Sequence, residues 1–265
     1  MFATSYNRAS SVEEAVKLKG QHEEGRYLSG GMTLIATMKQ RLAAPSDLID
    51  LRHIPDLKGI SVEGHNVRIG AGTPHAEVAG SADLRAICPA ICHLAGMIGD
   101  PHVRHMGTIG GSIANNDPAA DYPAAILALN ATIITDRRWI SADDFFVGLF
   151  ETALEDGEMV TAVTFEAPEK AGYAKFANPA SRYALTGVFV AKRPDGVRVA
   201  VTGAGGNGVF RHGGLEAALA SNWDPNSVAG VEVDPQDLLS DMHATPAYRA
   251  NLVKVMTKRA VNAAG

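Results

Sequence analysis

With 265 residues, the chain is long enough to bury one large core or two modest ones. Hydrophobic residues at 46% and charged residues at 20% mark an ordered globular protein rather than a disordered one. A formal net charge of −5 argues against bulk attraction to nucleic acid, and no apolar run approaches the length of a membrane span.

The N-terminal residues lack an apolar leader pattern, so a cytoplasmic protein with reduced thiols is expected. Ser11, with Glu14 three residues later, forms a capping-box pattern and predicts a helix to about Lys19. Arg26–Leu28 reads as a short strand, Ser29-Gly30-Gly31 as a turn, and residues 32–41 as a second helix. Residues 48–51 form another short strand. This order predicts a small α/β unit with parallel pairing. Ile60–Glu63 and residues 67–70 flank Gly64-His65-Asn66 as a hairpin. Thr73-Pro74 reads as an N-cap followed by Pro at the first helical position.

A long helix is predicted over residues 81–97, with Leu84, Ile87, Ile91 and Leu94 at helical spacing. It would carry the only two cysteines, Cys88 and Cys92, on one face as buried packing. Two cysteines cannot supply the four ligands that an iron–sulfur cluster normally takes. A polar stretch over residues 99–105 leads into Gly107-Thr108-Ile109-Gly110-Gly111-Ser112. Asp121 is placed to cap a helix over residues 122–129. Residues 132–135 and 138–141 suggest a second hairpin, and residues 159–165 a strand. The polar, Pro-containing segment 166–170 reads as a linker, which puts a domain boundary near residue 168. The first domain spans 1–168, with its pattern changing between about 1–57 and 58–168; the second covers 169–265. It contains strands over 172–177, 185–192 and 197–203, a Pro194-Asp195-Gly196 turn and helices over 215–221 and 246–263. The fold class expected from this order is α+β.

Two glycine pairs carry the chemical signal, Gly30-Gly31 before Met32-Thr33 and Gly110-Gly111 before Ser112. Glycine permits a positive φ and close approach to a ligand, and the N–H groups of such a turn make an anion nest. The first pair also feeds a helix start, where the dipole favours negative charge. With 27 glycines in the chain, some Gly-Gly pairs arise by chance, and either pair alone reads better as a simple turn. Neither matches the dinucleotide fingerprint or the P-loop, so the residues by themselves indicate an anion site and no more.

The wider segments are more specific. Residues 28–34, 38–45 and 48–51, then 99–104 running into 107–112, and 116–125, resemble the FAD-binding medium subunits of molybdenum hydroxylases of the xanthine dehydrogenase and aerobic carbon monoxide dehydrogenase type. Lys175-Phe176, residues 179–185 and residues 199–205 resemble the same family further along. The first motif departs from the usual Ala-Gly-Gly followed by Gln or His and then Ser; here it is Ser29-Gly30-Gly31-Met32-Thr33, so the hydroxyl survives while Met32 loses a polar side chain.

The resemblance implies a two-lobed PCMH-type FAD-binding domain followed by a smaller α+β domain with an antiparallel sheet and helices. It implies FAD as the cofactor, its pyrophosphate held by Ser29, Gly30, Gly31, Met32, Thr33, Leu34, Thr108, Gly110, Gly111 and Ser112. Asp121 would accept from sugar hydroxyls or else act as the helix N-cap. Tyr183 would lie near the isoalloxazine ring or else in a core or interface. Val160 would touch the flavin or else be plain strand core.

The chemistry implied is an electron relay. A molybdenum cofactor on a large partner subunit oxidises substrate, [2Fe-2S] clusters on a small partner pass electrons on, and FAD delivers them to an external acceptor, within a dimer of heterotrimers. No nucleophile or general base is evident. His93, His102 and His105 lack a carboxylate or thiolate set, so no metal site is assigned. A flavin-free scaffold and a stand-alone flavin oxidoreductase are the alternatives.

Overall fold

Parallel pairing of short strands organises the start of the chain in the computed structural model, which describes residues 1–264. Asp47–Asp50 lies between Ser5–Arg8 and Arg26–Leu28 and runs parallel to both. Buried Ile49, Ala9, Ala15 and Ile54 form a small core beneath them. Ser5–Arg8 has no apolar alternation to announce it. Polar side chains tie it in: Asn7 Nδ2 donates to Asp47 Oδ1 at 2.9 Å, and the Tyr6 hydroxyl donates to Asp50. Ser11 caps the helix Val12–Gln21 by accepting from Glu14 N. The Glu14 carboxylate closes on the backbone and hydroxyl of Ser10 instead of on Ser11. The helix Leu34–Lys39 is shorter than predicted, because Arg41 turns out of it at φ 62°.

The second sheet is antiparallel and five-stranded. Its order is Ile60–Glu63, Asn66–Gly70, Val160–Glu166, Thr132–Thr135 and Trp139–Ser141, with both predicted hairpins in it. Three expectations around it are corrected. Residues 81–97 are not one helix: Ala82–Ile87 and Pro89–Gly96 are separated at Cys88, because Pro89 has no N–H to continue the first helix and clashes with its last turn. Cys88 and Cys92 are both buried, but they do not share one continuous helix face. Thr73 does not cap the helix His75–Gly80; its hydroxyl accepts from Gly59 N and faces Gly59 O. The polar stretch before the second glycine pair is helical over Pro101–Met106, because Asp100 accepts from Val103 N and Pro101 starts it.

A four-stranded antiparallel sheet follows, in the order Lys170–Ala177, Ala184–Arg193, Gly196–Thr202, Phe210–Arg211. Its strand Ala184–Arg193 is apolar almost throughout because both faces are covered. Phe189 and Ala191 join the core of the preceding sheet and its helices, while Val188 and Val190 pack with the C-terminal helices. The helix Pro246–Ala263 buries Leu252, Val253, Met256, Ala260 and Val261 against it, at the three- and four-residue spacing of a helical stripe. Overall the fold is α+β. No helix among the described residues is long and apolar enough to cross a membrane.

One cation is sealed into this last layer. Arg249 is 2% exposed; it donates to the carbonyls of Leu185 and Gly203 and to the half-exposed Asp241 carboxylate. Replacing Arg249 with Ala removes the donor of Gly203 O, one of two donors to Leu185 O and the counter-charge of Asp241, and is expected to cost about 3–5 kcal/mol. Asp241→Asn keeps the donor side intact and is expected to cost much less. Chemical denaturation of the two variants measures the difference, and equal losses would contradict this assignment of the network.

Candidate functional site

The residues singled out from the sequence come together. Every one of them lines a single cleft of about 760 Å³, open along the seam between the parallel lobe, the antiparallel sheet and the loop before Ala184.

The first glycine segment forms one wall. Gly31 sits at φ 70°, where a side chain would be strained, and turns the chain from the strand Arg26–Leu28 into the helix Leu34–Lys39. The amide groups of Gly30, Gly31, Met32, Thr33 and Leu34 have no acceptor among the described residues. Five consecutive donors thus border the cleft. The helix behind them spans only six residues, so its dipole adds little, and the amides themselves are the groups that could receive an anion.

The second glycine segment is built differently. Its amides are committed within the chain: Ile109 N to Thr73 O at 3.2 Å, Gly110 N to Ala71 O at 2.9 Å and Gly111 N to Thr108 Oγ1 at 3.1 Å. The expectation that both pairs present free amides therefore holds for the first only. Gly110 is buried, and a Cβ there would lie 2.4 Å from Ala71 Cβ. Gly111 faces outward; a Cβ there would meet only Thr108 Oγ1 at 3.0 Å and Ser29 Cβ at 4.0 Å. Of this pair, then, Gly110 serves packing and Gly111 keeps a bare backbone surface on the cleft.

The two segments touch. A Cβ on Gly30 would fall 2.1 Å from Met106 O and 2.7 Å from Gly107 Cα. Ser29 Oγ lies 2.9 Å from Thr108 Oγ1 across the same contact.

At the floor, Asp121 is buried and its side chain caps nothing, which corrects the N-cap reading. The carboxylate accepts from the Tyr173 hydroxyl and pairs with Lys175 Nζ at 2.9 Å. Lys175 Nζ also donates to Met97 O at 3.0 Å. Burial pushes the Asp121 carboxyl up, opposed by Lys175 and Tyr173. Val160 is buried at the start of its strand, touching both the cleft and the core. The opposite wall is the loop ending at Tyr183, which is 46% exposed. Partial burial, together with Asp117 and Asp121, pushes the Tyr183 hydroxyl up, so it stays protonated. Arg182, at φ 63°, reaches across to Gly99 O at 3.4 Å.

Sequence reasoning missed Lys175, His75 and Glu158. Tyr173 and Lys175 are two apart on a strand and so share a face, which was the available signal that a carboxylate waits opposite. His75 sits behind the second segment with its ring 5.3 Å from that of Tyr122; burial, then Arg104, lowers it to about 4, so it is neutral near pH 7. Nothing in the local sequence announces that burial. Glu158 accepts from Arg138 Nη2 at 2.9 Å and from Thr135 Oγ1 at 2.7 Å, through a fold-dependent meeting of two loops.

The sequence of residues 2–167 matches the family described as FAD binding domain in molybdopterin dehydrogenase. The chain belongs to this family. It is an FAD-binding oxidoreductase subunit of the molybdenum hydroxylase type. Carbon monoxide dehydrogenase medium chain of Hydrogenophaga pseudoflava is 34% identical, over 98% of this chain and 96% of that one. Nicotine 6-hydroxylase medium subunit of Paenarthrobacter nicotinovorans is also 34% identical, over 99% of this chain and 98% of that one. Reconstituted carbon monoxide dehydrogenase from Oligotropha carboxidovorans superposes with a TM-score of 0.89 at 32% identity, covering 99% of this chain and 98% of that one.

The two glycines of the second pair are expected to respond differently to alanine. Gly110→Ala forces Ala71 aside and should lower folding stability by about 1–3 kcal/mol. Gly111→Ala should fold with a near-normal thermal midpoint and hold less flavin. Thermal unfolding and flavin content, measured on both variants, separate the roles; a strongly destabilised Gly111→Ala would count against its cleft-facing assignment.

The Glu158 pair sets an acid limit. Arg138 holds the Glu158 carboxyl down at about 2, against the effect of burial. Since the folded value lies below the ordinary 4.5, the stability it contributes is full above that pH and is lost as pH falls toward about 2. The thermal-midpoint gap between wild type and Arg138→Gln should therefore close across that window. A gap that stays constant would show that the pair contributes nothing there.

Proposed function

We propose that this chain is the electron-transferring medium subunit of a molybdenum hydroxylase, with FAD bound along the cleft. On this reading a large partner subunit carries the molybdenum cofactor and oxidises substrate. A small partner carries [2Fe-2S] clusters, and electrons leave through this chain to an external acceptor. The observation that carries the reading is the run of five unpartnered amides, Gly30 to Leu34, bordering a cleft of about 760 Å³. A pyrophosphate there is neutralised by oriented dipoles rather than by a lysine.

FAD supplies the redox chemistry when bound, and the protein's work is to hold and orient it. In this assignment Gly30, Gly31, Met32, Thr33 and Leu34 donate to the pyrophosphate, with Ser29 and Thr108 beside it. Gly110 positions Gly111, whose bare backbone admits the cofactor, and Ser112 lines the same side. Asp121, steadied by Lys175 and Tyr173, keeps lone pairs for sugar hydroxyls. Val160 offers an apolar floor and Tyr183 a half-exposed wall over the ring.

Residues 1–168 would make the cofactor half and residues 169–265 the second domain, whose sheet closes the cleft from below. The names of the relatives, medium chain and medium subunit, support a place in a larger assembly, and a dimer of heterotrimers is the arrangement we favour. Equal identity to the medium chains of enzymes named for carbon monoxide and for nicotine supports a subunit blind to substrate. A cytoplasmic location fits the two free, buried thiols.

The test is an absorption spectrum of the purified chain, with acid release of the chromophore. Stoichiometric FAD is the expected result. A folded, colourless chain that takes up no added FAD would overturn the reading in favour of a scaffold subunit. Tyr183→Ala should keep its FAD and change the rate at which reduced flavin is reoxidised by an added acceptor; unchanged kinetics would return Tyr183 to a structural role.

A further inference from the structure

We infer that Ser29 and Thr108 form a clasp between the two glycine segments, in which Thr108 is a positioning residue and Ser29 supplies a sixth donor to the anion held by the amides of residues 30–34. The inference rests on the cofactor reading above and assigns these two hydroxyls distinct roles within it.

Either hydroxyl of the Ser29–Thr108 pair can donate to the other, and the surrounding contacts say what each direction leaves free. Thr108 Oγ1 accepts from Gly111 N at 3.1 Å, and Thr108 is buried at 5% exposure. A hydroxyl has a single proton, and the neighbour of Thr108 Oγ1 on the cleft side is Ser29 Oγ at 2.9 Å. When Thr108 donates to Ser29, the Ser29 proton is left for the cleft that Ser29 lines. An anion in the cleft selects this direction, because it needs a proton from Ser29. The chain of donors then runs from Gly111 N through Thr108 to Ser29, each bond polarising the next. The backbone contact of Gly30 with Met106 and Gly107 holds the two hydroxyls at this spacing without the ligand. The Ser29 hydroxyl is therefore in place before an anion arrives, and only the two protons need turn on binding.

The measurement is FAD affinity of the full-length chain after flavin removal, read by quenching of FAD fluorescence, for Ser29→Ala, Thr108→Val, the double variant and Thr108→Ser. One charge-assisted hydrogen bond predicts that Ser29→Ala weakens FAD binding about tenfold and Thr108→Val by about as much. Because both act through one donor, the double variant should be no weaker than the weaker single variant, and Thr108→Ser should bind nearly as wild type. Losses that multiply in the double variant, or an unchanged affinity in Ser29→Ala, would overturn the clasp while leaving FAD binding by the wild type intact. A lowered thermal midpoint of flavin-free Ser29→Ala would assign the loss to folding and also overturn it. Failure of the wild type itself to take up FAD would bring down the cofactor reading, and the clasp with it.

Discussion

Where Gly30 meets the backbone of Met106 and Gly107, no Cβ fits between the two chains. The parallel lobe and the antiparallel sheet have separate small and large cores, so this contact does what a shared core would otherwise do beside the cleft. It brings a loop with unpartnered amides against one whose amides from Ile109 to Ser112 are engaged. The second loop is stiff for that reason: it is pinned to Ala71 and Thr73, and it closes on itself at Thr108. A rigid wall set against a donor-rich one is a preorganised way to hold an anion, since the donors need not be gathered when it binds.

The cleft floor depends on a different join. The strand Ala184–Arg193 buries side chains on both faces, so the C-terminal layer is welded to the helices of the preceding sheet. Through that weld Tyr173 and Lys175 reach Asp121 and oppose the burial that pushes its carboxyl up. The cost of sinking a charge beneath the cleft is offset by residues far along the chain.

Legibility in the sequence followed the range of the interactions. Strands that alternate, the two hairpins and the long C-terminal helix with Thr245-Pro246 at its start could be read locally. The strand Ser5–Arg8 could not, because its stabilisation comes from partners some forty residues away, such as Asp47. The break at Cys88 was legible, and Pro89 stated it, but the apolar spacing on either side hid it. The cleft residues were found through resemblance, since the two Gly-Gly pairs look alike as letters. What separates them, free amides in one and committed amides in the other, depends on Ala71 and Thr73, which no local pattern links to Gly110 or Ile109. Lys175 lies in a segment that resembles the family, yet its role is not legible there because its partner Asp121 lies across the fold.

The Asp121–Lys175 pair bears on how such subunits can be recombined. A chimaera that joins residues 1–168 of this chain to a foreign C-terminal half inherits the carboxylate without its counter-charge, unless the incoming strand carries a tyrosine and a lysine two residues apart in the same register. The seam between the halves is thus a point of inheritance: the two portions of the polypeptide must descend together, even though both glycine segments lie in the first.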